Sequence, residues 1–279
     1  MTTARVWLIT GASSGFGRAL TEAAIAAGDV VVATARRPEA LDDLVEAHPG
    51  QIEAVRFDVT APGAAEVVVA DVATRYGRID VLVNNAGRGQ VGAAEETTEA
   101  ELRDLFELHV FAPAALVRAV LPGMRARRRG AIVQMSSLGG QVVYPGFSAY
   151  CATKFALEGY SEGLAAEVAP HGINVVIVEP GAFRTSFSGA ALVESAELAA
   201  YAETVGPTRA MIKGVDGTQP GDPAKAAAAI LTALAADKPP LRLPLGDDSL
   251  DGILANLAAV ESEARAWEEV SRSTAYPAA

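Results

Sequence analysis

The sequence predicts a doubly wound α/β fold, with a mainly parallel sheet and helices on both faces. Short runs rich in β-branched residues alternate with helix-like segments, and this order is typical of a parallel sheet. Several runs are apolar on successive residues rather than on alternate ones, as in strands that are covered on both faces. The predicted strands are residues 6–10, 30–34, 52–57, 79–83, 131–135 and 175–178.

Composition limits the class of protein. The chain has 279 residues, half of them hydrophobic and 20% charged, which is too apolar for a disordered chain. Its formal net charge of −11 repels phosphate backbones and anionic lipids, so nucleic acid and membranes are disfavoured as partners. A single cysteine, Cys151, and three histidines favour neither a disulfide nor a metal site. With no export signal or long apolar run at the start of the chain, we expect a cytoplasmic, metal-free protein.

No linker, repeat or low-complexity block divides the chain, so residues 1–279 are predicted to form a single domain. Residues 206–223 contain four Gly and three Pro among polar residues and are predicted to be a mobile loop. Residues 196–203, 223–236 and 249–270 are rich in Ala and Leu or have helical spacing, and they are predicted helices that complete the domain.

A glycine-rich turn follows the first predicted strand. Thr10 to Gly17 reads TGASSGFG, and an Ala-rich helical stretch follows and ends at Gly28. Glycines let the backbone turn sharply and approach a pyrophosphate, and the helix start offers free N–H groups and its positive dipole. The pattern favours a Rossmann-type dinucleotide site. Because the glycines at 11, 15 and 17 do not match the common G-x-G-x-x-G spacing, an ordinary βα turn is the alternative.

The end of the second predicted strand bears on the choice of dinucleotide. NAD-specific domains of this type usually have an acidic residue there for the ribose 2′-hydroxyl, whereas this chain has Arg36 and Arg37. A guanidinium forms charge-assisted hydrogen bonds with a 2′-phosphate. The sequence therefore predicts NADP(H) in preference to NAD(H), with a solvated arginine pair as the alternative.

Tyr150 and Lys154 share one face of a predicted helix, just downstream of Ser137 at the end of the fifth predicted strand. Ligands of open α/β sheets bind beyond the carboxyl ends of the strands. A phenol whose pKa is lowered by a nearby ammonium group can exchange a proton with a carbonyl or alcohol oxygen, which the Ser137 hydroxyl would hold. The alternative is a surface i,i+4 pair with a serine in a turn.

These motifs together resemble the short-chain dehydrogenase/reductase family. TGASSGFG is followed in the family's order by NNAG at residues 84–87, SS at 136–137, YCATK at 150–154 and EPGAFRT at 179–185. The resemblance implies that Ser137, Tyr150 and Lys154 are catalytic, with Tyr150 as acid/base and Lys154 also holding the nicotinamide ribose. It further implies that Ser13 and Arg36 hold the 2′-phosphate.

The resemblance also implies the rest of the cofactor site and the assembly. The implied cofactor-binding residues are Gly11, Ser13, Ser14, Gly15, Phe16, Gly17, Arg36, Asp58, Val59, Asn85, Ala86, Gly87, Tyr150, Lys154, Pro180, Gly181 and Thr185. Family members place a variable segment, here about 183–220, over the substrate, and its apolar side chains favour an apolar ketone, aldehyde or alcohol. Helices at 99–124 and 153–169 form the usual subunit contact, which implies a homodimer or homotetramer.

His109 stands where many members of the family have a catalytic asparagine. Because Pro113 has no N–H, the carbonyl of His109 lacks its usual helical partner, and a water bound there could connect Lys154 to solvent. We therefore expect replacement of the His109 side chain to affect turnover little. A buried core histidine with satisfied hydrogen bonds is the alternative, since Leu102, Leu105 and Phe106 share its helical stripe.

The motifs and their order predict an NADP(H)-dependent oxidoreductase that interconverts a carbonyl and an alcohol by hydride transfer, with a small-molecule substrate. One alternative is a non-catalytic dinucleotide-sensing protein on the same fold, which the intact set of Ser137, Tyr150 and Lys154 disfavours. Another is a sugar-nucleotide epimerase or dehydratase of the longer related branch, which generally requires a larger substrate domain.

Overall fold

A computed structural model describes residues 4–276, and in this part of the chain seven parallel strands form one sheet in the order β3-β2-β1-β4-β6-β7-β9. A separate parallel pair, β5 and β8, lies outside it. The strands are β1 Val6–Thr10, β2 Val30–Ala35, β3 Ile52–Arg56, β4 Val81–Asn84, β5 Gly89–Val91, β6 Gly130–Met135, β7 Ile173–Pro180, β8 Leu192–Glu194 and β9 Arg242–Leu245. The predicted fold class is confirmed.

Helices connect the strands and cover the sheet. Their bounds are α1 Gly15–Ala26, α2 Asp42–Ala47, α3 Ala64–Tyr76, α4 Glu99–Phe106, α5 Ala112–Arg127, α6 Ser148–Val168, α7 Gly206–Val215, α8 Pro223–Ala235, α9 Asp247–Ala266 and α10 Glu268–Arg272. One π-helical turn, Glu107–Phe111, joins α4 to α5.

Two apolar clusters, one on each face of the sheet, form the core. Trp7 and Ile9 of β1 pack into the cluster that contains α1 and α8 residues. Val6 and Leu8 point the other way, into the cluster that contains α3, α5 and α6 residues. Successive residues of a strand therefore both lie in apolar surroundings, which explains why the strand sequences are apolar without alternation.

The order in which strands are added to the sheet reverses at β1. The chain runs from β1 outward to β2 and β3, and then returns to place β4 on the other side of β1. Leu8 pairs with Val32 on one side and with Leu82 on the other. Loops that leave β1 and β4 diverge at such a point and open a crevice at the carboxyl ends of the strands. The glycine-rich turn lies at this position.

Two of the predicted elements are wrong. The expected mobile loop at 206–223 contains helix α7, Gly206–Val215, which begins with Pro207 in its first turn and buries Arg209 and Ile212. The glycines and prolines lie mainly at its ends, where they start and stop a helix. The expected helix at 196–203 is only a 3₁₀ turn, Ala199–Tyr201, because Glu96 accepts a hydrogen bond from the Leu198 N–H just before it.

One helical run among residues 4–276, Glu99–Arg127, is long and apolar enough to cross a bilayer by length and composition, with a mean hydropathy of 1.5. In this structure the run is α4, the π-helical turn and α5 in succession. Leu116, Val117 and Val120 of α5 are buried against the sheet. The apolar character of the run is thus that of a core helix.

Candidate active site

The glycine-rich turn between β1 and α1 is built by three glycines with different tasks. Gly11 and Gly15 have φ angles of +63° and +53°, a region that favours glycine. Gly17 has ordinary backbone angles, but a Cβ atom on it would lie 2.3 Å from the Gly11 carbonyl oxygen and 2.5 Å from Asn85 Nδ2. Its bare α-carbon allows the first turn of α1 to pack directly on the end of β1.

The start of α1 has the properties of an anion site. Ser14 is the N-cap residue in an extended conformation, and its side chain makes no capping hydrogen bond. The first turn of α1 contains no acidic residue. Its backbone N–H groups and the positive end of the helix dipole are therefore directed at the crevice without a competing carboxylate, which fits a dinucleotide pyrophosphate.

Asn85 fixes the end of β4 to the glycine-rich turn. Its side-chain Nδ2 donates to the carbonyl oxygens of Thr10 (2.8 Å) and Gly11 (3.1 Å). The Thr10 hydroxyl in turn accepts the backbone N–H groups of Asn85 and Ala86, both at 3.0 Å. The structure thus brings Gly11, Asn85 and Ala86 together as expected. Thr10 is an addition to the predicted set, and its place at the start of the TGASSGFG motif was the signal for it.

The ends of β2 and β3 lie side by side, with Ala35 in register with Arg56. Arg36 and Asp58 follow these strands and are both exposed. Hydrogen bonds from Thr60 lower the pKa of the Asp58 carboxyl, and the positive charge of Arg36 adds to this effect. The guanidinium of Arg36 is therefore at the sheet edge beyond β2, next to the loop that contains Asp58 and Val59.

Tyr150 is buried in the first turns of α6 and faces Ser137. Its ring makes edge contacts with Phe187 (5.4 Å between centroids), His109 (5.7 Å) and Phe147 (5.9 Å). Burial raises the pKa of the phenol above its ordinary value, and a hydrogen bond with the Ser137 side chain opposes that rise. The expectation that Lys154 lowers this pKa is not met in the structure, because desolvation dominates.

Lys154 lies one helical turn beyond Tyr150, and its side chain is buried. Its Nζ lies 5.7 Å from the centroid of the Tyr150 ring and donates to the carbonyl oxygen of Met135 at 2.7 Å. Burial lowers the pKa of Lys154 to about 8, and the negative charge of Glu158 opposes this shift. Ser137, Tyr150 and Lys154 therefore converge as predicted, at the carboxyl end of β6.

The segment after β7 closes over both parts of the site. A Cβ atom on Gly15 would lie 3.2 Å from the Thr185 Cβ, while Phe187 two residues later packs on Tyr150. Pro180 is the last residue of β7. Gly181 follows it and donates its N–H to the Leu245 carbonyl at 2.9 Å. The glycine-rich turn and the tyrosine thus border one crevice, spanned by Thr185 to Phe187.

The side chain of His109 is buried and makes two hydrogen bonds, as in the core-histidine alternative, while the water-binding role expected for its main-chain carbonyl stays a prediction. Its Nε2 accepts the Arg88 N–H at 3.2 Å, and its Nδ1 lies 2.8 Å from the Thr153 hydroxyl oxygen. That hydroxyl donates its proton to the Tyr150 carbonyl (2.7 Å), so Nδ1 must be protonated. Burial, Lys154 and Arg88 all lower the pKa of His109, which keeps the ring neutral.

Replacing His109 with alanine is expected to destabilise the fold far more than it affects turnover per folded molecule. The change leaves the Arg88 N–H without its acceptor and the Thr153 hydroxyl oxygen without its donor, at a cost of about 1–3 kcal/mol, and it opens a cavity beside Tyr150. Urea unfolding and kcat measured on the same sample check this. A loss of turnover as large as that of Tyr150→Phe would show that the ring takes part in the chemistry.

A buried ion pair holds the segment that forms the outer wall of the crevice. Arg209 of α7 donates from Nη2 to Glu96 (2.8 Å) and to the Ser195 carbonyl (3.1 Å). Glu96 also accepts the N–H groups of Ala93 and Leu198, and these bonds lower its pKa. The pair ties β8 and α7 to the loop after β5. Sequence analysis missed it because its two partners are 113 residues apart.

A helix start at the switch point of a parallel sheet, with a buried tyrosine and lysine and a part-buried serine beside it, is typical of a Rossmann-type oxidoreductase. The family model described as "short chain dehydrogenase" matches residues 5–195. The chain belongs to the short-chain dehydrogenase/reductase family, and it is an oxidoreductase of that family.

Individual relatives agree with this assignment. The chain is 36% identical to oxidoreductase BOA17 of Botryotinia fuckeliana over 97% of this chain and 99% of that protein. It is 62% identical to a crystal structure of a short-chain dehydrogenase from Streptomyces avermitilis, with a TM-score of 0.94 over 98% of this chain and 100% of the other. A metagenomic short-chain oxidoreductase solved in complex with NADP is 36% identical, with a TM-score of 0.61 over 63% of this chain and 82% of that one.

Proposed function

We propose that this protein is an NADP(H)-dependent carbonyl reductase and alcohol dehydrogenase, with Ser137, Tyr150 and Lys154 as its catalytic residues. The observation that carries the proposal is the convergence of these three side chains next to the glycine-rich turn. A purely structural role would not require a tyrosine and a lysine to be buried together at the carboxyl end of β6.

In this proposal Tyr150 exchanges the proton of the reaction. The nicotinamide supplies or accepts a hydride at the substrate carbon when the dinucleotide is bound. In reduction, the Tyr150 hydroxyl donates its proton to the carbonyl oxygen, which the Ser137 hydroxyl also holds. The raised pKa of Tyr150 suits this direction, because the phenol enters each cycle protonated. The ammonium group of Lys154 stabilises the phenolate that forms.

In this proposal the residues at the crevice hold the dinucleotide as the sequence predicts. The helix start at Ser14 receives the pyrophosphate, with Gly11, Ser13, Gly15, Phe16 and Gly17 around it. Asn85, Ala86 and Gly87 line the middle of the cofactor, and Asp58 and Val59 flank the adenine. Pro180, Gly181 and Thr185 contact the nicotinamide end, and Lys154 holds its ribose. The NADP complex of the metagenomic relative supports a nicotinamide dinucleotide.

Arg36→Ala is expected to weaken NADPH binding and leave NADH binding nearly unchanged. A charge-assisted hydrogen bond contributes about 1.5–3 kcal/mol, so the dissociation constant for NADPH rises by roughly 10- to 150-fold. Fluorescence titration of both nucleotides measures this. Arg37→Ala removes a neighbouring exposed arginine and serves as the matched control. Equal losses for both nucleotides in Arg36→Ala would contradict the NADP(H) preference.

The side chains on the substrate side of the crevice favour an apolar carbonyl compound or alcohol as the substrate. Tyr150 is packed in one apolar cluster with Val91, Leu105, Phe147 and Ile212, and Phe187 and Leu192 border it. Apolar pockets of this kind bind apolar ligands, with a few polar groups fixing their orientation. Absorbance assays of apolar ketones, aldehydes and alcohols with NADPH, NADH and their oxidised forms test the proposal. No turnover across such a panel, with NADPH bound, would overturn it.

We also infer a cytoplasmic homo-oligomer. Phe111 lies at the start of α5 and Phe155 on α6, and their side chains are 56% and 44% exposed. Apolar rings at these positions fit the subunit contact that the family resemblance implied for the two helices. The mass of the protein in solution measures the number of subunits.

A further inference from the structure

A pair of carboxylates is buried near Lys154. Glu158 lies one helical turn beyond Lys154 on α6, and Glu179 lies near the end of β7. Their side chains are 5% and 0% exposed. The reaction described above uses neither residue. Two buried acids so close together require an explanation, because the burial of a charge is costly unless it is paired.

One guanidinium serves both acids. Arg242 Nε lies 3.1 Å from Glu158 Oε2 and 3.6 Å from Glu179 Oε1, and its Nη2 binds Glu162 at 3.2 Å. Gln141 Nε2 donates to Glu158 (3.3 Å) and to Glu179 (3.1 Å). Among the described residues, Arg242 is the cation in ion-pair contact with the two buried carboxylates, and one positive charge in contact does not balance two negative ones. The two acids therefore hold a proton between them more readily than isolated carboxylates do.

The proton of this pair is available near neutral pH. Burial and the neighbouring Glu158 raise the pKa of Glu179 to about 7, and burial raises that of Glu158. Below this range the pair carries an added proton, and above it the proton is lost. The charged groups that face the pair are Lys154 and Glu162 on α6 and Arg242 on β9.

Ser136 lies beside the acid pair and directly follows the residue that binds Lys154. Lys154 Nζ is bound to the carbonyl of Met135, the residue just before Ser136. The Ser136 hydroxyl faces the Glu158 carboxylate and lowers its pKa. A Cβ atom on Gly140 would lie 2.5 Å from Ser136 Oγ and 2.9 Å from Glu158 Oε1, so both oxygens border the same small space. Neither of these buried oxygens completes a hydrogen bond of good geometry among the described residues.

His109 does not offer an alternative through its side chain. The ring is 1% exposed, both nitrogens are engaged, and its neutral form is strongly favoured. A group that neither titrates nor has a free nitrogen cannot pass a proton to Lys154.

We propose that Glu158, paired with Glu179, supplies through the Ser136 hydroxyl the proton that restores Lys154 after each reduction. This inference rests on the proposed function, in which Tyr150 is the proton donor. The carbonyl oxygen takes the Tyr150 proton, the phenolate takes one from the Lys154 ammonium, and the resulting amine takes one from the carboxyl pair. The pair regains its proton from solvent beside the part-exposed Arg242. One proton enters and one reaches the alcohol in each turnover.

The test uses the intact protein, a ketone that it reduces, and the variant Glu158→Gln. Wild-type kcat for reduction is expected to decline as pH rises through the titration of the pair, because the pair then has no added proton to donate. In Glu158→Gln this step disappears, and kcat falls about tenfold, less than the ~10²–10⁴-fold attributed to a direct acid or base. The solvent deuterium isotope effect on kcat rises, while the dissociation constant of NADPH does not change.

Two further variants sharpen the result. Glu179→Gln removes the neighbour that raises the pKa of the pair, so the step in the pH profile moves to lower pH. Glu162→Gln is the matched control, since Glu162 is exposed and shares Arg242 without belonging to the pair. It is expected to keep the wild-type profile. Ser136→Ala is expected to raise the isotope effect in the same way, and it decides the question if Glu158→Gln does not fold.

A Glu158→Gln enzyme with wild-type kcat, pH profile and isotope effect would overturn the relay. So would a Ser136→Ala enzyme with a wild-type isotope effect. If Tyr150→Phe abolishes turnover in the same assay while Glu158→Gln or Ser136→Ala behaves like wild type, the relay is wrong and the proposed function still holds. If Tyr150→Phe keeps its turnover, the proposed function fails first, and the relay fails with it.

Discussion

Tyr150→Phe is expected to lower kcat for carbonyl reduction by about 10²–10⁴-fold, the contribution of a positioned acid or base. The substitution removes only the hydroxyl group. The ring keeps its edge contacts with His109, Phe147 and Phe187, so the crevice retains its shape. Steady-state rates with NADPH and a reducible ketone measure the loss, and the dissociation constant of NADPH shows that the cofactor still binds.

Tyr160→Phe is the matched control for this variant. Tyr160 lies on the same helix and packs in the cluster between α6 and the sheet, away from the crevice. It is expected to keep wild-type turnover. Unchanged turnover in Tyr150→Phe would contradict the role of the phenol as proton donor. Tight dinucleotide binding without any turnover in the wild-type protein would instead favour the non-catalytic dinucleotide-sensing alternative.

Local patterns were sufficient to predict six of the seven strands of the sheet and the convergence of Ser137, Tyr150 and Lys154, but not the edge strand β9. The five successive residues of β1 are all buried, and because helices cover both faces of the sheet the strand's first four residues are apolar without alternation. Tyr150 and Lys154 are one helical turn apart, so their shared face follows from helix geometry. Ser137 lies two residues after the end of β6, where the loops that follow parallel strands enter the crevice.

Features that depend on distant partners could not be predicted from one sequence. Glu96 and Arg209 form a buried ion pair across 113 residues, and that contact helps to hold α7 in a segment that looks like a loop. The pairing of Glu158 with Arg242 spans 84 residues. The same is true of His109, whose two ring nitrogens contact Arg88 and Thr153 from two other parts of the chain. Such contacts are set by tertiary packing, which has no local periodicity.

Gly17→Ala is expected to weaken dinucleotide binding strongly, although alanine is the better helix former. The new Cβ would lie 2.3 Å from the Gly11 carbonyl oxygen, a backbone atom of the turn that we propose binds the pyrophosphate. Either α1 or the turn must shift. Overpacking of this kind costs roughly 1–3 kcal/mol. If the whole cost falls on the bound state, the dissociation constant of NADPH rises by about 5- to 150-fold. Fluorescence titration of NADPH measures the change.

Gly163→Ala provides the comparison that isolates this effect. Gly163 lies on the exposed face of α6, and no atom lies within 4 Å of the position of its missing Cβ. Here the same substitution is expected to raise the free energy of unfolding by roughly 0.5–1 kcal/mol and to leave NADPH binding unchanged. If Gly17→Ala bound NADPH as well as Gly163→Ala does, the helix start could not be the group that receives the pyrophosphate. The contact between α1 and the end of β1 would then serve only the packing of the domain.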